Sequence, residues 1–329
     1  MKRAIKKIPI WIKEPIYVFG SEFTKLPIKV AYYHALCNFI DNHGVSIEDS
    51  MRIYRKRQDY IYNYLFKRYK RVFNEIDYSP GIKVINAPIW VFWWQGEENA
   101  PELVRYCIES IKRNAGSHPV NIVTKENYLQ FTDIPKCVIE KMQAGKITLT
   151  HFSDILRMNL IANNGGLWLD ATIFCSQKMK EVIFEYPVYT GRNPGKDFMN
   201  ISDWNWTSFA ISGWKGNGLF VAANAMFSAY WKENDELIDY YLVDYVLRLI
   251  YENVTEVKNL IDRIEYNNTE QMLLCQKFNM PYSAETYNDI VFGSTWLHKL
   301  SWKEKWSEKT SKGEKTMYAH WKEMVKTQV

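Results

Sequence analysis

Cysteine is scarce in this 329-residue chain, and its five cysteines are isolated from one another. Their odd number and apolar neighbours favour reduced core thiols over a disulfide framework or a zinc site. Stability must therefore come from a packed core, and a hydrophobic content of 47% with 16% aromatic residues is enough to build a large one. The cysteines are Cys37, Cys107, Cys137, Cys175 and Cys275.

Long hydrophobic runs are missing as well. The sequence contains no run of about 18 apolar residues, which a membrane-spanning helix would need, and no secretory signal pattern follows Met1. We therefore expect a cytoplasmic protein, with a peripheral position on the inner face of the membrane as an alternative. The chain also has no phosphate-cradling glycine-rich loop with a lysine, which disfavours a metal-dependent phosphotransferase.

Acidic residues are few in the first part of the chain. Residues 1–71 carry 15 Lys and Arg against 6 Asp and Glu, a balance of +9, whereas the whole chain carries only +5. An anionic membrane surface attracts such a region by about 1 kcal/mol per cation, and a solvated helical face explains the pattern equally well. Nucleic acid is not an expected partner, because no nucleic-acid-binding module is recognisable. The basic cluster is Arg52, Arg55, Lys56, Arg57, Lys67, Arg68, Lys70 and Arg71, among Tyr54, Tyr60, Tyr62 and Tyr64.

The chain divides into an N-terminal basic helical region, residues 1–80, and a second domain, residues 81–329, with a Ser-Pro-Gly turn at the boundary. In the second domain, residues 83–96 predict a strand and its following loop, residues 101–114 a helix, and residues 120–123 the next strand. This β-α-β order is typical of an α/β fold with a parallel sheet.

The most informative segment is residues 150–175. Its apolar residues recur at helical spacing and predict one buried stripe. Asp154 is expected in the first helical turn, where negative charge suits the helix dipole, and Arg157 is three positions on, so the two side chains lie side by side. Gly165 and Gly166 then end the helix. The stripe consists of Phe152, Ile155, Leu156 and Leu160.

An apolar strand, residues 167–174, follows and contains an unexpected carboxylate, Asp170. Because a lone buried carboxylate is costly, Asp170 is expected at the exposed carboxyl end of the strand, where α/β sheets bind ligands, or beside a cation. Thr172 points to the same side while the chain stays extended. A carboxylate and a hydroxyl together suit a hard cation such as Mg²⁺ or Mn²⁺.

This segment resembles the donor-binding core of the capsular polysaccharide synthesis glycosyltransferases. More distantly it is similar to the sugar transferases with a DXD motif, including the catalytic domains of the large clostridial glucosylating toxins. The resemblance implies a GT-A-like fold, which is α/β with a Rossmann-type mixed sheet flanked by helices, here with an N-terminal helical region. The matching residues are Ser153-Asp154-Ile155-Leu156-Arg157 and Gly165-Gly166-Leu167-Trp168-Leu169-Asp170-Ala171-Thr172.

The resemblance also implies roles for these residues. Asp154 and Arg157 would hold the donor sugar, and Asp170 would be the first carboxylate of DXD, so these three are the expected catalytic and donor-binding residues. Thr172 stands where DXD has its second Asp. That departure leaves a water-mediated or metal-independent site open.

Two further blocks complete the expected site. In the relatives an aromatic residue just before a glycine stacks on uracil after the first strand, and Trp94, or its neighbour Trp93, matches that position. A C-terminal segment closes the site, and its candidates here are His320 for the metal, with Trp321 and Lys299 for the diphosphate. The expected metal, Mn²⁺ or Mg²⁺, would be held by Asp170, Thr172 and His320.

Two other features concern the pocket. Residues 191–203 are rich in Gly, Asn, Asp and Pro and predict a loop over it. Asp239 and Asp244 are five positions apart on a predicted helix, so they point in different directions. Only one of them is expected to approach the acceptor or the leaving group.

The expected function is transfer of a sugar from a nucleoside diphosphate sugar, with UDP as the expected nucleotide, to a hydroxyl group. By resemblance the acceptor is a saccharide or a polyprenyl-linked saccharide in the synthesis of capsule or another surface polysaccharide, and the anomeric configuration is retained. One alternative is a non-catalytic membrane- or polysaccharide-binding protein with a decayed metal site. A metal-dependent phosphotransferase is a weaker alternative.

Overall fold

The computed structural model describes residues 10–195, 197 and 199–328. The helices are α1 (Ile10–Glu22), α2 (Ile28–His43), α3 (Ile47–Asn74), α4 (Glu102–Asn114), α5 (Lys136–Gln143), α6 (Leu149–Asn164), α7 (Val182–Glu185), α8 (Gly218–Glu233), α9 (Leu242–Asn253), α10 (Thr255–Asp262), α11 (Leu273–Lys277), α12 (Ala284–Val291) and α13 (Met317–Gln328). The strands are β1 (Ile89–Phe92), β2 (Val120–Val123), β3 (Gly166–Leu169), β4 (Ile173–Cys175), β5 (Val188–Thr190), β6 (Ala210–Gly213) and β7 (Leu297–Lys299).

A five-stranded mixed sheet lies at the centre of the structure, in the order β2-β1-β3-β6-β5. β1 pairs in parallel with β2 and β3, whereas β6 runs antiparallel to β3 and β5. Helix α4 connects β1 to β2, so the predicted β-α-β unit is confirmed. Every residue of β1 and β3 is buried, as expected for central strands covered on both faces. The predicted α/β class with an N-terminal helical region is confirmed.

Side chains of the central strands alternate between two cores. Trp90 and Trp168 belong to a core shared with α3, α6, α8 and α9. Ile89 and Leu167 belong to a second core shared with α4 and α7. This alternation places α6, which carries Asp154 and Arg157, on the same face of the sheet as Trp168.

Helix α6 begins earlier than the sequence predicted. Thr148 Oγ1 accepts a hydrogen bond from the backbone N–H of His151 at 3.2 Å, which caps a helix starting at Leu149. The predicted first-turn position of Asp154 is therefore wrong, because this residue lies in the second turn. The predicted apolar stripe is buried, and the helix ends as predicted at Gly165, which has a φ of 70°.

The predicted strand over residues 167–174 is wrong in one respect, because the chain turns in its middle. β3 ends at Leu169, and the backbone N–H of Ile173 donates to the carbonyl of Asp170 at 2.9 Å. The next segment, β4, leaves the main sheet and pairs antiparallel with β7. Asp170 therefore lies at the carboxyl end of β3, as predicted, and Thr172 lies in the turn rather than in an extended strand.

Helix α3 joins the N-terminal helices to the sheet domain by packing on α8 and α9. Most cations of its basic cluster are exposed, but Arg57 is half-buried, with its guanidinium 3.5 Å from Asp239. Residues 1–9 of the predicted basic region lie outside the described residues, and the domain boundary near residue 80 stays a prediction. None of the helices in the described ranges is long and apolar enough to cross a membrane.

Candidate functional site

Four charged side chains meet where β3 ends, at the carboxyl edge of the sheet, where α/β proteins bind ligands. Asp154 and Arg157 come from α6, Asp170 from the turn after β3, and Lys299 from the end of β7. Pairing of β7 with β4 sets Lys299 opposite Ile173, which brings two distant parts of the chain together. We call these four the charged cluster. Each was predicted as a site residue.

Both carboxylate oxygens of Asp170 accept hydrogen bonds. Arg157 Nη2 donates to Oδ1 at 3.1 Å, and Trp168 Nε1 donates to the same oxygen at 2.9 Å. Lys299 Nζ donates to Oδ2 at 2.6 Å and to Thr172 Oγ1 at 2.9 Å. Burial alone would raise the pKa of Asp170, but Lys299 and Arg157 outweigh burial and lower this pKa to about 2. Asp170 is therefore ionised at neutral pH.

Arg157 is held from three directions. Besides Asp170, its Nη1 donates to Asp154 Oδ1 at 2.8 Å, and its guanidinium lies over the Trp168 ring, 5.0 Å from the centroid. The residue is only 3% exposed. Charge-assisted hydrogen bonds and cation–π contact of this kind fix the position of the guanidinium.

A cavity of about 460 Å³ opens beside the charged cluster, within the size range of small-molecule sites. All four residues of the cluster line this cavity. Much of the remaining wall comes from the loop between β5 and β6 and from the start of α9. The predicted loop at residues 191–203 therefore contributes to the pocket.

Asp244 lines the cavity from α9, and Trp206 Nε1 donates to its Oδ1 at 2.9 Å. Burial raises the pKa of Asp244 to about 7; the Trp206 hydrogen bond opposes this shift, and the nearby Asp154 carboxylate adds to it. Asp239 instead accepts the backbone N–H of Tyr241 at 2.9 Å, ahead of α9. The predicted helix through both aspartates is wrong at its start, because α9 begins at Leu242 and Asp239 lies ahead of it. Asp244 is the one at the cavity.

Trp206 was missed by the sequence reasoning, although it lines the cavity. A tryptophan in a segment rich in aromatic residues is usually a core residue, so its type carried no functional signal. Trp206 and Asp244 are 38 positions apart in sequence, and they meet because the β5–β6 loop packs against α9.

The three predicted metal ligands do not assemble. Asp170 and Thr172 both accept hydrogen bonds from Lys299. His320 lies on α13, where its ring stacks on Tyr282 with centroids 4.0 Å apart, and it does not line the cavity. Within the described ranges, no group of three or more His, Cys, Asp or Glu side chains could hold a metal ion. These residues do not fit a preformed divalent-metal site, and Mn²⁺ or Mg²⁺ binding stays a prediction.

The three predicted tryptophans pack against other aromatic rings, and none lines the cavity. Trp93 and Trp94 follow β1 at the same edge of the sheet as the charged cluster; Trp93 packs against Trp302 and Trp94 against Tyr128, with ring centroids 5.7 and 5.5 Å apart. Stacking of Trp93 or Trp94 on a base stays a prediction. Trp321 has no exposed surface, because it lies in a core that the C-terminal helices share with α4 and β4. That burial argues against contact of Trp321 with a diphosphate.

Comparison with known proteins gives two matches. Residues 42–321 match the family described as capsular polysaccharide synthesis protein. A shorter match is to the O-glycosyltransferase braB of Annulohypoxylon truncatum, with 24% identity over 103 residues, which cover 29% of this chain and 24% of that protein. The match thus spans about a quarter of the length of that relative. No solved structure gives a significant match. Because the family match extends over most of the chain and includes the whole charged cluster, this chain belongs to the capsular polysaccharide synthesis protein family, as its sequence predicted.

Proposed function

We propose that this protein is a glycosyltransferase that moves a sugar from a nucleoside diphosphate sugar to a hydroxyl group. Membership of a capsular polysaccharide synthesis family and the distant match to an O-glycosyltransferase support a glycosyltransferase role. The observation that carries the proposal is the charged cluster beside a cavity of about 460 Å³. Two fixed cations and two carboxylates at the carboxyl edge of a sheet are suited to a ligand that contains both phosphate and hydroxyl groups.

The cations of the cluster suit the diphosphate of the donor. Lys299 Nζ has three N–H donors and uses two of them on Asp170 and Thr172, which leaves one for a phosphate oxygen. Arg157 is fixed by Asp154 and Asp170, so its charge is already in place when the donor binds. Uridine diphosphate is the nucleotide we propose, with Trp93 or Trp94 as the residue that stacks on its base.

The carboxylates of the cluster suit the hydroxyl groups of the donor sugar. Ionised carboxylates only accept hydrogen bonds, and each sugar hydroxyl donates one. Asp154 and Asp170 both line the cavity and both bind Arg157. One guanidinium therefore sets the positions of two sugar-binding groups in the proposed complex.

In the proposed reaction, the bond between sugar C1 and the diphosphate oxygen breaks, and the diphosphate leaves with the electron pair. The acceptor oxygen forms the new bond to C1, and its proton passes to the departing diphosphate. Arg157 and Lys299 stabilise the negative charge that develops on the diphosphate, because both are positioned before the reaction begins. We propose retention of the anomeric configuration, as in the sugar transferases that the sequence resembles.

The acceptor we propose is a saccharide, free or polyprenyl-linked, in the synthesis of capsule or another surface polysaccharide. Family membership supports a role in polysaccharide synthesis. Trp206, Tyr240 and Tyr241 line the cavity and offer flat apolar faces, which suit sugar rings. The exposed cations of α3 would attract an anionic membrane that carries a lipid-linked acceptor.

The test is nucleotide release from a panel of nucleoside diphosphate sugars, with and without saccharide acceptors. We expect one donor to be consumed, faster with acceptor, and Asp170→Asn to remove this activity. Asp235→Asn is the matched control, because Asp235 pairs with Lys141 and Lys146 outside the cavity. A wild-type protein that binds no nucleoside diphosphate and consumes no donor would overturn the proposal and favour the non-catalytic alternative.

A further inference from the structure

We propose that Lys299 takes the place of a divalent cation, so that the protein binds its donor diphosphate with its own side-chain cations and needs no metal. This inference rests on the proposed function, because it concerns the same donor. The observation that carries it is the contact of one ammonium group with both Asp170 and Thr172.

The position of Lys299 is fixed by contacts of both its backbone and its side chain. Its backbone N–H donates to the carbonyl of Gln271 at 2.7 Å, and the next N–H, that of Leu300, donates to the carbonyl of Thr172 at 2.9 Å. Its ammonium group lies 5.2 Å from the centroid of the Phe209 ring, and the side chain is 22% exposed. Strand pairing and side-chain contacts thus aim the ammonium group at the turn after β3.

The oxygen ligands that a divalent ion would need are already occupied. Asp170 Oδ2 and Thr172 Oγ1 bind Lys299, and Asp170 Oδ1 binds Arg157 and Trp168. Mg²⁺ and Mn²⁺ prefer about six oxygen ligands, and a divalent ion near this carboxylate would be repelled by two fixed cations. A hydroxyl at Thr172 is a weaker metal ligand than a carboxylate, but it is a good acceptor for an ammonium group. The residue types at these positions therefore match a lysine better than they match a metal.

The first experiment is isothermal titration of the wild-type protein with UDP, GDP, ADP and CDP, in EDTA and again with millimolar MnCl₂. We expect one nucleotide to bind with equal affinity under both conditions. A strict requirement for Mn²⁺ would overturn the role of Lys299 and leave the proposed function standing. Absence of binding by every nucleotide, with and without Mn²⁺, would overturn both.

Two variants then test the lysine itself. Lys299→Met keeps an unbranched side chain that reaches as far as the lysine Cε and removes the charged ammonium group, and we expect nucleotide affinity in EDTA to fall by about tenfold or more. Lys136→Met is the matched control, since Lys136 is an exposed lysine on α5 outside the cavity. Circular dichroism and thermal unfolding establish that each variant is folded. An unchanged nucleotide affinity in folded Lys299→Met would overturn the inference.

A gain-of-function variant gives an independent readout. Lys299→Met combined with Thr172→Asp removes the cation and supplies the second carboxylate, which creates a pair of aspartates two positions apart. We expect this double variant to bind Mn²⁺ alone, measured by electron paramagnetic resonance, and to bind the nucleotide only when Mn²⁺ is present. Equally strong binding of Mn²⁺ alone to the wild-type protein would contradict the inference.

Discussion

Trp168 Nε1 donates a hydrogen bond to Asp170 Oδ1 at 2.9 Å, so one residue of β3 positions the carboxylate that follows the strand. The same indole lies beneath the guanidinium of Arg157, 5.0 Å from its centroid. Trp168 is 1% exposed and belongs to the core of the sheet domain. Two members of the charged cluster, Asp170 and Arg157, are therefore positioned by a core residue.

Trp168→Phe is the first substitution we would make, because it keeps an aromatic face for Arg157 and removes the N–H that binds Asp170. We expect the unfolding free energy to fall by about 1–3 kcal/mol, from the lost volume and the lost hydrogen bond. We also expect the rate of donor consumption to fall by about tenfold, because Asp170 loses a donor that positions it. Denaturant unfolding and nucleotide release measure the two effects.

Trp90→Phe is the control for that substitution. Trp90 lies in the same core on β1, and its Nε1 donates to the carbonyl of Gly165 at 2.9 Å, away from the carboxylates. The Trp90→Phe variant should lose a similar amount of unfolding free energy, and the folded variant should retain its activity. Equal losses of activity in both variants would mean that Trp168 acts only through stability.

Arg157→Lys tests whether the cluster needs a guanidinium or only a positive charge. A lysine cannot donate simultaneously to Asp154 and Asp170 in the planar geometry of arginine, and both carboxylates would lose one fixed partner. We expect a loss of about 2–4 kcal/mol in unfolding free energy and weaker nucleotide binding. Isothermal titration of the folded variant with nucleotide separates the loss of affinity from the loss of stability. If Arg157→Lys binds nucleotide as tightly as the wild-type protein, a positive charge at this position is sufficient for binding.

The unit formed by α6 and β3 was largely predictable, because its signals are local. Apolar residues at helical spacing form one buried face when the segment is a helix. Gly165 and Gly166 have φ values of 70° and 103°, which residues other than glycine rarely adopt. The start of α6 was misplaced because its cap is Thr148, which lies before the first residue of the apolar stripe.

The break between β3 and β4 was not predictable from local sequence. Residues 167–174 are apolar enough to be one buried strand, and the partner of β4 is β7, more than a hundred positions away. Lys299 could be placed in the site only by resemblance, because its contact with Asp170 depends on that pairing. The surroundings of His320 and Trp321 could not be predicted for the same reason, because their aromatic neighbours come from segments distant in sequence.

Gly166→Ala tests the turn that sets the direction of β3. A Cβ at Gly166 would lie 2.1 Å from the carbonyl oxygen of Pro88, on a backbone with a φ of 103°. We expect a loss of more than about 2 kcal/mol, because the clash is with backbone that cannot move without disturbing β1. Gly145→Ala is the control, since Gly145 has a φ of 74° but open space around its Cβ position. It should lose only about 1 kcal/mol, and equal losses measured by urea unfolding would contradict the steric argument.

Asp244 makes the stability of the protein depend on pH in a predictable direction. Its pKa is about 7 in the folded protein and about 4 in an unfolded chain, so the folded state holds a proton that the unfolded state releases between these values. The contribution of Asp244 to stability is therefore complete below about pH 4 and is lost as the pH rises through 7. The groups that face Asp244 are Asp154 and Arg157 from α6, Asp239 and Tyr241 ahead of α9, and the N–H of Trp206.

Asp244→Asn removes this proton exchange while its side-chain oxygen still accepts the Trp206 hydrogen bond. Between pH 5 and 8 we expect the wild-type protein to lose on the order of 1–2 kcal/mol more unfolding free energy than the variant, allowing for solvent screening at the cavity. Urea unfolding of both proteins at the two pH values measures the difference, and the other titrating groups largely cancel in the comparison. Equal losses in the two proteins would show that Asp244 is ionised in the folded protein throughout this range. Burial would then not raise its pKa, and Asp244 would add a negative charge to the cavity.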